Sequence, residues 1–92
     1  MIKIIDKNST GKTSRLLLLA KENDGIIVCK NPMRVKEKAA AYGILGVPCF
    51  SYKDYLLTEK STLRPVFIDE IEDFVKFLTD EKLAGYSLSL ED

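Results

Sequence analysis

Asn23-Asp24-Gly25-Ile26-Ile27-Val28-Cys29-Lys30-Asn31-Pro32 reads as a turn, a buried strand and a helix start in direct succession. Asn-Asp-Gly is a strong turn signal, and the four apolar residues after it are mostly β-branched, as a strand covered on both faces requires. Asn31 is placed to cap a helix and Pro32 to occupy its first position. Val35, Ala39 and Tyr42 fall on one face of that helix, and Gly43 is placed to end it.

Working outward, the same alternation extends in both directions. Upstream, Ile2-Lys3-Ile4-Ile5 reads as a first strand, followed by a polar loop and a helix from Lys12 to Glu22 whose Leu16–Ala20 run forms a buried face. Downstream, Val47–Phe50 is a short extended piece, and Ser51 with Asp54 resembles a capping box opening a helix through Leu57. Thr58 to Arg64 is a polar loop. Pro65 leads into the strand Val66-Phe67-Ile68, and Ile71, Phe74, Val75 and Leu78 form an amphipathic stripe. Leu83 to Leu90 alternates and reads as a final strand. The expectation is one domain over residues 1–92, a three-layer α/β sandwich with a mostly parallel, five-stranded sheet.

Size and composition narrow the function classes. Ninety-two residues hold one modest core, too small for a two-lobed motor or a porter. Histidine is absent, which removes Ser-His-Asp and Cys-His catalysis and histidine-ligated metal sites. Cys29 and Cys49 match no zinc or redox spacing and read as small buried hydrophobes. No apolar run approaches the roughly 18–20 residues of a bilayer span, and the first residues lack signal-peptide features, so the expected location is the cytoplasm without membrane attachment. Net charge is zero but uneven: residues 1–46 carry nine Lys/Arg against four Asp/Glu, and residues 47–92 carry five against ten. That balance does not support nucleic-acid binding by the whole chain; it allows an anion site in the first half and a carboxylate cluster in the second.

Two segments carry chemistry. Asp6-Lys7-Asn8-Ser9-Thr10-Gly11-Lys12-Thr13 compares with the phosphate-binding pattern G-x-x-x-x-G-K-[ST], with Asp6 where the first glycine belongs. A helix amino terminus offers free amides and partial positive charge to an anion. Gly11 permits close backbone approach, Lys12 suits the β- and γ-phosphates, and the Thr13 hydroxyl suits Mg²⁺. The second segment, Pro65-Val66-Phe67-Ile68-Asp69-Glu70, is an apolar strand ending in two carboxylates. Asp69 suits a metal, and Glu70 suits a general base that polarises water.

Together these segments resemble the P-loop NTPase superfamily, and within it the first RecA-like lobe of helicases, over nearly the whole chain. Asp6–Thr13 is similar to Walker A and Ile68-Asp69-Glu70 to Walker B. Cys29–Arg34 and Pro48–Leu57 are similar to the following strand–helix segments, and Gly85–Ser89, with Ser87 and Ser89, lies where a sensor strand would be. The chain is also similar to small single-lobe P-loop proteins of phages and mobile elements. The resemblance implies Mg²⁺-dependent ATP binding along the loop Asp6 to Thr13, with Thr13 and Asp69 as metal ligands. It implies that the second strand neighbours the Walker B strand from the far side, and that turnover is slow unless a protein partner or second copy supplies an arginine. The alternative is a degenerate P-loop interaction protein that binds no nucleotide.

Asp6 is the sharpest departure, and it yields a test. A unit charge ~6 Å from a phosphate charge, at an effective dielectric near 20, costs on the order of 2–3 kcal/mol, part of which Lys7 or Mg²⁺ offsets. Asp6→Gly is therefore expected to tighten triphosphate binding about ten-fold, on the order of 1.4 kcal/mol, with a smaller gain at high salt. Titration calorimetry that finds no gain in a protein that binds ATP refutes this electrostatic reading of Asp6.

Overall fold

The computed structural model describes residues 1–5, 11–58 and 64–89. Its elements run α1 (Lys12–Glu22), β1 (Ile26–Cys29), α2 (Pro32–Ala41), β2 (Cys49–Ser51), α3 (Tyr52–Leu57), β3 (Val66–Ile68) and α4 (Ile71–Leu78). Among the described residues the sheet has three strands in the order β2-β1-β3, all parallel. Ile27 is in register with Cys49 and Phe67, and Val28 with Phe50 and Ile68.

Strand β1 is buried along its whole length, and its side chains divide the core in two. Ile27 and Cys29 face Leu17 and Ala20 of α1 and Val35 and Ala39 of α2, together with Cys49 and, at the margin, Phe67. Ile26 and Val28 face Tyr52 of α3, with Phe50, Ile68 and Phe74 of α4 at the margin. The period-2 alternation of a strand produces this division, which puts helices on both faces of the sheet. Full burial of a Leu, Ile or Val side chain stabilises by about 1.5–3 kcal/mol, whereas an exposed ion pair such as Arg64–Asp24 contributes about 0–1 kcal/mol. The apolar contacts around β1 therefore dominate.

Local signals explain the helix ends. The Asn31 side chain accepts the Arg34 amide at 3.2 Å, and Ser51 Oγ accepts the Asp54 amide at 3.0 Å. Gly43, at φ 70°, ends α2 in the left-handed conformation, with its amide donating to Ala40 and the Ile44 amide to Ala39. Both cysteines are free and buried, and burial pushes the Cys29 thiol up to about 12.

The five-stranded P-loop sandwich is corrected to this three-stranded sheet. Ile2–Ile5 forms no strand, and Ile2 and Ile5 are 58% and 63% exposed, whereas a central strand requires both faces covered. Residues 83–89 also join no ladder; Tyr86 and Leu88 are 58% and 60% exposed. Alternation states which residues could share a face, but a strand exists only where a partner backbone takes its hydrogen bonds. The two segments meet at an exposed point, where Lys3 Nζ donates to the Ser89 carbonyl at 3.2 Å. Three smaller corrections concern exposure. Leu18 stands out of the α1 face, Tyr42 out of the α2 face, and the α4 stripe is only half covered, with Ile71 and Leu78 exposed.

The turn before β1 is tight at Gly25. A Cβ there would stand 2.7 Å from Phe67 Cε2 and 2.8 Å from the Pro65 carbonyl oxygen. Gly25→Ala is expected to destabilise by about 1–3 kcal/mol. Gly85→Ala, where nothing lies within 4 Å of the added atom, should stay within about 0.5 kcal/mol of the parent. Urea denaturation of the two variants checks the contrast.

Candidate functional site

Parallel strands bring their carboxyl ends to one rim, where open α/β sheets place their ligands. Strand β3 delivers Asp69 and Glu70 there, and the Asp69 amide donates to the Val28 carbonyl at 2.8 Å, tying the end of β3 to the middle of the sheet. Helix α1 brings its amino terminus to the same place. Gly11 caps it at φ 76° and ψ 25°, a conformation that costs a glycine little, and among the described residues no side chain caps its first-turn amides. The Ser14 hydroxyl donates to the Gly11 carbonyl at 2.9 Å, which further fixes that turn.

Two contacts join the segments. The part-buried Thr13 Oγ1 donates to Asp69 Oδ2 at 3.2 Å. Lys12 Nζ lies 3.3 Å from Glu70 Oε1, with the lysine side chain 20% exposed and the glutamate 47%. Burial raises the Asp69 carboxyl above its ordinary value and the Glu70 charge adds to this, while the Thr13 hydrogen bond and the positive charges of Lys38 and Lys12 oppose it.

Beneath the carboxylates lies Tyr52, which is 5% exposed. Its hydroxyl is 3.0 Å from the Asp69 carbonyl oxygen and 3.3 Å from that of Glu70. Its ring meets Phe74 edge-on at 5.2 Å between centroids. Beyond Glu70 a groove of about 530 Å³ is lined by Lys30, Asn31, Arg34, Val35, Lys38 and Asp73 as well as Glu70.

The structure thus brings Lys12, Thr13, Asp69 and Glu70 together, with Gly11 at the helix start. Asp6, Lys7, Asn8, Ser9 and Thr10 lie outside the described residues. Ser87 and Ser89 are exposed and belong to no strand, which corrects the expected sensor strand. Arg64 stands at the opposite, amino-terminal rim, donating to the Asp24 carbonyl and carboxylate. Sequence analysis did not single out Tyr52 or its polar contact, although a tyrosine hydroxyl needs a partner wherever the ring is buried.

A divalent cation is tested by the donors present. Among the described residues no group of three or more His, Cys, Asp or Glu side chains is arranged to hold a metal. Thr13 and Asp69 offer two oxygens on one side, which suits Mg²⁺ bound through one or two protein oxygens with phosphate and water completing its shell. Among the described residues no helix is long and apolar enough to cross a membrane.

A raised Asp69 implies that its ionised form costs stability. The cost is absent well below the ordinary value of 3.8, grows as pH rises through it, and is complete above the folded-state value. Asp69→Asn is therefore expected to raise the unfolding temperature of the ligand-free protein at pH 7, with a smaller gain at pH 4. Thermal unfolding at the two pH values checks it, and a variant less stable than the parent at pH 7 refutes it. No protein-family model, curated protein or solved structure matches the chain.

Proposed function

We propose that the protein binds a Mg²⁺-nucleoside triphosphate where the start of α1 meets the end of β3. The supporting observation is convergence. The Gly11-Lys12-Thr13 turn and the Asp69-Glu70 pair, 56 residues apart at the Thr13–Asp69 contact, touch through 3.2 Å and 3.3 Å contacts. A hydroxyl beside a carboxylate, with an ammonium beside a second carboxylate at a glycine-capped helix start, is a residue set suited to phosphate and Mg²⁺.

Each residue has a task. The first-turn amides of α1 receive phosphate oxygens, helped by the helix dipole. Lys12 leaves Glu70 and turns to the β- and γ-phosphates. Thr13 and Asp69 present their oxygens to Mg²⁺, which neutralises phosphate charge when bound. Glu70, released from Lys12, stands free to orient and deprotonate an attacking water. ATP is favoured over GTP because no guanine-selective N/T-K-x-D segment occurs. Turnover is slow in isolation, since an arginine supplied by a partner or second copy is worth about 10³–10⁵ in rate.

One observation favours a second reading, a small interaction protein without nucleotide. Lys12 and Thr13 are already engaged by carboxylates, so a phosphate must displace an ion pair to enter. Thermal unfolding separates the readings. Mg-ATP at about 100 times its dissociation constant should add about 2.7 kcal/mol of stability. Lys12→Ala should lose that gain, while Glu70→Gln should keep it and suppress any phosphate release. Absence of stabilisation by ATP, ADP and GTP selects the interaction protein.

A further inference from the structure

Glu70 has φ 59° and ψ 71°, the left-handed region that a residue with a side chain rarely adopts. The conformation costs roughly 1–2 kcal/mol and persists only where the surroundings hold it. In an extended chain consecutive carbonyls point to opposite sides. At Glu70 the backbone instead turns so that the Asp69 and Glu70 carbonyls converge on one atom, the Tyr52 hydroxyl, whose single proton they share. The Glu70 carbonyl also accepts the amides of Asp73 and Phe74 at 3.0 and 3.2 Å, which starts α4. Tyr52 itself is immobilised by burial and by Phe74 and Phe77, at centroid distances of 5.2 and 6.0 Å.

We infer that Tyr52 is a positioning residue for the candidate site: its hydroxyl holds the Asp69-Glu70 turn in the left-handed conformation that aims Asp69 at Thr13 and Glu70 at Lys12. Its consequence for ligand binding rests on the nucleotide reading above. Tyr52 reaches phosphate and metal only through the two carboxylates. The metal-dependent part of binding depends on it, and the part carried by Lys12 and the α1 amides does not.

Tyr52→Phe keeps the ring and removes the hydroxyl. In the ligand-free protein, amide hydrogen exchange at Asp73 and Phe74 should rise about ten-fold, while Ile27, whose amide donates to Pro48 in the sheet, is unchanged. Unchanged exchange at Asp73 and Phe74, or an equal rise at Ile27, overturns the inference. The second arm measures ATP affinity with and without Mg²⁺. The gain in affinity from Mg²⁺ should fall about ten-fold in Tyr52→Phe, with no loss of Mg²⁺-free affinity. Phe74→Leu, which loosens the same aromatic cluster but keeps the hydroxyl, should retain the Mg²⁺ gain. Equal loss in Phe74→Leu, or loss of Mg²⁺-free affinity in Tyr52→Phe, assigns the effect to packing and overturns the inference. A parent protein that binds no Mg-ATP refutes the nucleotide reading alone, and the exchange arm then decides the role of Tyr52 by itself.

Discussion

The double-sided pairing of β1 is the constraint on which the rest of the structure depends. A strand buried on both faces must place all its backbone polar groups in ladders, and β1 does so with β2 on one side and β3 on the other. Its apolar side chains then alternate, so a helix layer is needed on each face. Helices α1 and α2 supply one, and α3 with α4 supplies the other. The Gly25 turn and the Asp69 amide bond to Val28 are consequences of how closely β3 lies along β1.

The same pairing creates the chemistry. Because β3 runs parallel to β1, Asp69 and Glu70 emerge at the rim reached by the start of α1, and the basic first half of the chain meets the acidic second half there. Lys12 pairs with Glu70, and the Lys38 charge acts on Asp69. At the other rim the signs reverse, with Arg64 held by Asp24. Among the described residues, a zero net charge thus conceals two ion pairs between distant segments, one at each end of the sheet. The carboxyl-end rim is the costly one: Asp69 there is a carboxylate that burial disfavours, and Glu70 is in a strained conformation.

Much of the local structure was legible in the sequence. Helix α1 spans the expected Lys12–Glu22, β1 spans Ile26–Cys29, and the Asn31 and Ser51 caps form the expected bonds. Each depends on residues within a few positions of one another, so local physics suffices. The expected strands at Ile2–Ile5 and Leu83–Leu90 depended on distant partners, and their apolar content could not say whether an edge would receive them. Tyr42 failed for a related reason: helical spacing sets a face, but the width of the covered stripe depends on the neighbour that packs against it.

The candidate site divides in the same way. Gly11-Lys12-Thr13 and Asp69-Glu70 were identifiable as chemical groups from the sequence alone, because a hydroxyl, an ammonium and carboxylates at element ends have intrinsic affinities for phosphate and metal. That Thr13 reaches Asp69, that Lys12 is held by Glu70, and that Tyr52 bonds beneath both carboxylates were decided by tertiary structure. Sequence determined the strand and helix periods, the caps and the placement of reactive groups, all set by interactions along the chain. The register of β3 against β1, the number of strands and the left-handed turn at Glu70 arise from contacts between residues far apart, whose energies no local pattern encodes.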